Sequence, residues 1–172
     1  MLDINSFATI LENFSNPTPY FLGLIFLFLI ILIYGLKAGR GRMILILLSL
    51  YTAIVLAGLF PYLEYISENI KTGESYFIDL GLFITLSLIV LISFTNSSLK
   101  SLANYRGSIF QILILSILIL GVFVSHITVL LPAEILAKLD HPIFTYFKTE
   151  IAQFWWVLAG VVGLAVLRRR GE

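Results

Sequence analysis

His126 is the residue in this chain whose type and setting best suit chemistry. It lies in an apolar run between Ser125 and Ile127, with Thr128 two residues on. An ionisable group within a membrane segment is costly to bury, so a proton or ligand role is the first reading of it. A neutral imidazole about a turn from Pro132, where the run ends, can instead be satisfied by water or a hydroxyl, and a structural histidine is the competing expectation. Asp79 and Glu150 fall near the starts of two other apolar runs. Both would approach His126 if those segments were its neighbours, and both would otherwise be solvated carboxylates. His141 has no spaced ligand partner, so no metal site is expected. There is no His-Glu-Xaa-Xaa-His, Gly-Xaa-Ser-Xaa-Gly or phosphate-binding loop, and no cysteine to act as nucleophile or thiolate ligand. The expectation is therefore a protein that is not an enzyme and carries no cofactor.

The elements that would position these groups are membrane helices. The chain has 172 residues, 59% of them hydrophobic and 12% charged, with a mean hydropathy of +1.02, far from a soluble composition. Five apolar runs, at 20–36, 43–60, 76–95, 109–131 and 151–167, approach the roughly 20 residues that a helix needs to cross a hydrocarbon core. Lipid cannot satisfy open backbone amides, and unbroken apolarity speaks against alternating barrel strands. The expected fold is an all-α integral membrane bundle of five crossings in a single domain.

Charge placement orients it. Lys37, Arg40, Arg42, Lys100, Arg106, Arg168, Arg169 and Arg170 are eight of the eleven Lys and Arg, and all fall in the connections after the first and third runs or after the fifth. The N-terminal segment, the other two connections and the start of the third run hold nine of the ten acids. The positive-inside rule then places the N-terminus outside and the C-terminus in the cytoplasm. The same basic residues are topological anchors and suit anionic lipid headgroups, each worth about 1 kcal/mol. Small juxtamembrane clusters are not a nucleic-acid surface, so the lipid bilayer is the expected partner.

Three stretches read as short interfacial helices on the outer face. Residues 1–16 place Phe7, Ile10, Leu11 and Phe14 on one side; the loop at 61–75 does the same with Leu63, Ile66 and Ile70. The loop at 132–150 carries Ile135, Leu136 and Leu139 after Pro132. Small residues recur at helical spacing: Ser49, Ala53 and Ala57; Gly121, Ser125 and Thr128; Ala159 and Gly163. Such faces pack helices closely in lipid. A homo-oligomer contact, a membrane-protein partner or a pore lining is the alternative use of them. Gln111 is read as an amide that bonds across helices.

The turn Gly35-Leu36-Lys37-Ala38-Gly39-Arg40-Gly41-Arg42 joins the first two runs, its glycines allowing positive φ and close approach. The whole passage YGLKAGRGRMILILLSLYTAIVLAGLFPYL, residues 34–63, resembles the start of the colicin V production family: a basic turn with glycines four apart, a Leu-Ser-Leu opening, small residues and an aromatic-proline end. SSLKSLANYRGS, with Asn104, Arg106 and Gly107, is similar to that family's second basic connection. A fifth run with Phe154-Trp155-Trp156 and a terminal triple arginine departs from it. The resemblance implies a small bacterial inner-membrane protein linked to export of a peptide toxin or to envelope homeostasis, with no catalytic residues to carry over. A small oligomeric channel or transporter for protons, ions or a small solute is the alternative function.

Overall fold

A computed structural model describes residues 19–61, 76–97, 99, 107–139 and 142–168. Every regular element among them is helical: α1 (Pro19–Ala38), α2 (Arg40–Gly58), α3 (Tyr76–Asn96), α4 (Ile109–Leu130), α5 (Ala133–Lys138), a 3₁₀ turn at Pro142–Tyr146, and α6 (Glu150–Arg168). Four of these, α1 to α4, are long and apolar enough to cross a membrane, and the apolar part of α6, Ile151–Val166, is shorter. The apolar helices make this a membrane protein. The amphipathic stretch at 1–16, most of the loop at 61–75, and Lys100, Arg106, Arg169 and Arg170 lie outside the described residues.

The helices begin where local chemistry allows. Pro19 opens α1 at the position where a missing N–H costs nothing. Pro132 precedes α5 and accepts the amides of Ile135 and Leu136 at 3.0 and 3.1 Å. Gln111 Oε1 accepts the Ser108 N–H at 3.3 Å and closes the start of α4. A free first-turn amide competes well for a side chain three residues away.

The connection between α1 and α2 is tighter than its composition predicts, because both helices run into the basic stretch and leave Gly39 alone between them. Gly39 has φ 86° and ψ 167°, a conformation essentially restricted to glycine. Its N–H donates to Gly35 O at 2.8 Å. Gly35 is the close-approach glycine: a Cβ there would stand 2.8 Å from Ile112 and 3.0 Å from Met43.

α4 is the axis of the bundle. Thirteen of its 22 residues are buried, against two in α1 and two in α3, and it packs against α1, α2, α3 and α6. Met43, Leu47, Leu50 and Ala53 of α2, Phe83 of α3, and Leu115, Leu118, Ile119 and Val122 of α4 form the main core. α6 runs back along α4: Gln153 bonds His126, Gly121 faces the Trp156 ring and Gly163 faces Leu118. Tyr51 of α2 donates to Val157 O at 3.0 Å, its hydroxyl resting on Gly160. The expected small-residue faces of α2 and α4 are buried at Ser49, Ala53, Gly121, Ser125 and Thr128. On α6 the buried small residue is Gly160, and Ala159 points outward, because the Tyr51 hydroxyl fills the place a Cβ at Gly160 would need.

The outer faces of α1, α3 and α6 are apolar and exposed, with Phe26, Ile33, Phe77, Ile92, Phe154 and Val161 all more than half exposed.

Candidate functional site

The polar groups that sequence placed around His126 sit at the end of the bundle opposite Gly39, where α3, α4 and α6 meet. α4 brings Ser125, His126 and Thr128 to that level, and all three are buried, His126 with 8% of its surface exposed.

The hydroxyls are committed to backbone. Ser125 Oγ donates to Val122 O at 3.1 Å. Thr128 Oγ1 lies 2.9 Å from Ser125 O and 2.7 Å from Phe147 O, so its one proton ties the end of α4 to the loop that follows. Ser116, Ser49, Thr52 and Ser87 likewise donate to carbonyls three or four residues back, at 2.7–2.9 Å. That pattern satisfies hydroxyls inside apolar helices and leaves them little capacity as nucleophiles.

His126 is different. Its Nδ1 lies 2.8 Å from Gln153 Nε2 on α6, and the Phe83 ring of α3 covers it at a centroid separation of 4.4 Å. With an amide nitrogen donating to Nδ1, the ring proton of a neutral imidazole is on Nε2. Nε2 is buried and has no hydrogen-bond partner among the described residues. Asp79, in the first turn of α3, stands one helical turn before Phe83 on the same face. Its Oδ1 is also buried with no hydrogen-bond partner among the described residues. The site thus holds an orphan donor on α4 and an orphan acceptor one turn beyond the ring that packs on it. Each would ordinarily cost about 1–3 kcal/mol or more if left dry.

Glu150 lies at the start of α6, and its side chain is outside the described set. Its neighbour one turn on, Gln153, is what reaches the imidazole. Sequence reasoning passed over Gln153; the signal was a lone amide in an apolar helix, three residues after Glu150. The loop beside the site is pinned at several points. Trp156 Nε1 donates to Tyr146 O at 2.9 Å, the Trp156 and Phe147 rings stack 5.3 Å apart, and Lys148 Nζ donates to Leu136 O at 2.8 Å and to Leu139 O. A shallow apolar groove of about 520 Å³ opens on the outer side of α6, between Tyr146, Ile151, Trp155 and Trp156, away from His126.

At the opposite end, Lys37 and Arg42 are exposed on either side of Gly39. Arg40 packs on Gly107, where a Cβ would come within 2.6 Å of it. The start of α4 and the α1–α2 turn therefore share one end of the bundle. Arg168 closes α6. No group of three or more metal-ligating residues occurs among the described residues.

No family model, no curated protein and no solved structure matches the chain. The chemistry of this site rests on its own geometry.

Proposed function

We propose that the protein is a non-enzymatic component of a bacterial inner membrane that supports envelope homeostasis or a secretion or transport assembly through the outer faces of its bundle. The observation that carries this reading is the division between α4 and the helices around it. α4 is mostly buried, with the Ser116 and Ser125 hydroxyls bonded to its own carbonyls and that of Thr128 also to Phe147 O, while α1, α3 and α6 turn broad apolar faces outward. The interior is filled by packing, and what is left to interact is the surface. The link to envelope or toxin export rests on the resemblance of residues 34–63 to the colicin V production family.

In this reading α6 is a fifth crossing. It runs antiparallel to α4 through contacts from His126 down to Leu118, which carries its Arg168 end toward the level of Gln111. The N-terminus is then outside, the C-terminus cytoplasmic, and α5 a short interfacial helix whose Leu139 side is buried while Glu134 and Lys138 are exposed.

A small channel or transporter is the second reading, favoured by the unpartnered Nε2 of His126 and Oδ1 of Asp79. Purified protein in liposomes separates the two. A bilayer that stays tight to protons and small ions leaves the supporting role in place. Flux that disappears in His126→Gln makes transport the function.

A further inference from the structure

We propose that His126, Gln153 and Asp79 form a proton-binding site in which Gln153 holds the imidazole in both its neutral and its charged state. The decisive feature is the partner of Nδ1. A carbonyl there would serve only a protonated Nδ1, and a backbone amide only a bare one. A glutamine amide offers a donor at one end and an acceptor at the other, so rotation about its terminal bond presents either to the same atom.

In the arrangement seen, the amide nitrogen donates to the lone pair of Nδ1, and the ring proton sits on Nε2. An incoming proton, delivered as hydronium from water at this end of the bundle, forms the new N–H bond at Nδ1 and leaves water behind, and the amide turns end for end so that Oε1 accepts that N–H. The charge gained is delocalised over the ring, which keeps its original proton on Nε2. Release of the proton from Nδ1, with the amide turning back, reverses the step.

The surroundings of the ring fit this use. Its Nε2 is buried and unpartnered among the described residues, leaving an N–H free for a carboxylate, and the imidazole packs on the Phe83 ring. Asp79 is the one charged residue of α3 and has a buried oxygen, unpartnered among the described residues, one helical turn before Phe83. α4 carries no charged side chain besides a protonated His126, and α2 has its charges, Arg40 and Arg42, at the opposite end. From α6 and the loop before it come Gln153, Glu150 and Lys148, the last held by the carbonyls of Leu136 and Leu139. Among the described side chains, Asp79 is the carboxylate that answers the charge α4 gains. Protonation would draw α3 toward α4, a pair in looser contact than α2 with α3 or α4 with α6.

The test uses the full chain in lipid nanodiscs with His141→Gln, which leaves His126 as the sole histidine. Side-chain ¹⁵N spectra and pH-difference infrared spectra are recorded between about pH 5 and 8, where imidazoles ordinarily change charge. The expected result is one neutral tautomer at the upper end and a doubly protonated ring at the lower, with a carboxylate band changing in the same step. Asp79→Asn should remove that band. Gln153→Met, which keeps volume without a polar end, should mix the two neutral tautomers while the helical fold and unfolding temperature stay close to wild type. An imidazole in one protonation state throughout overturns the proposal, as does a tautomer ratio that Gln153→Met leaves unchanged. If Gln153→Met does not fold, the Asp79→Asn spectra decide alone: a carboxylate band that persists sinks the pairing. These spectra read proton binding, whereas liposome flux reads passage, so a scaffold that binds a proton and a site that binds none give different results.

Discussion

Gly121→Ala is the sharpest perturbation the bundle offers. A Cβ at Gly121 would lie inside the contact distance of the Trp156 ring, meeting three of its carbons. The ring cannot slide away cheaply. Phe147 stacks on it with planes 3° apart, and its Nε1 is bonded to Tyr146 O. Overpacking of a close-packed core costs about 1–3 kcal/mol, and loss of the indole hydrogen bond adds about 1 kcal/mol. The expected loss is therefore about 2–4 kcal/mol. It can be read by titrating SDS into mixed micelles and following Trp156 fluorescence in a Trp155→Phe background; Trp155 is 60% exposed, so its removal is mild. Gly81→Ala is the internal control, since nothing lies within 4 Å of a Cβ there. It should match wild type or gain up to about 1 kcal/mol from helix propensity. Gly163→Ala should fall between, because only the flexible tip of Leu118 is in the way. If Gly121→Ala unfolds where Gly81→Ala does, the α4–α6 packing described above is wrong.

Gly39→Ala should destabilise by about 1–3 kcal/mol, because φ 86° and ψ 167° suit only glycine; the same SDS titration checks it. Tyr51→Phe should cost about 0.5–1.5 kcal/mol through the lost bond to Val157 O, with Tyr34→Phe, half-exposed on α1, as the neutral comparison. Thr128→Val should free the loop at Phe147, seen as faster amide exchange at residues 144–149 with little change in the helices. The chain lacks cysteine, so single cysteines report orientation directly. An impermeant maleimide added to intact cells should label Thr145→Cys and spare Ser108→Cys, both exposed positions. The reverse pattern would invert the topology.

The helices were legible because apolar runs of membrane length leave the backbone one way to bond itself. Expected and observed ends differ by three residues at most, the largest gap being at the start of α2, where Arg40, Gly41 and Arg42 continue the helix. Charge marks where a helix meets water, and the backbone can remain helical beyond that point. Side-chain partners were far less legible. Helical spacing placed Ser125, His126 and Thr128 on one helix, and nothing along the chain fixed which face of α6 would meet them. That choice depends on the rotation of α6, set by Trp156 against Gly121 and Tyr51 against Gly160. One turn separates Glu150 from Gln153, and rotation decided that the amide meets the ring.

Gly39 also bears on how the chain is made. With a single residue between α1 and α2, no soluble linker exists to wait in water while one helix inserts and the next emerges from the ribosome. The two form one hairpin, with Lys37, Arg40 and Arg42 gathered within three residues of Gly39 at its tip, charges that are costly to carry through hydrocarbon. Any tag, protease site or split point placed there would have to break a helix to be accommodated.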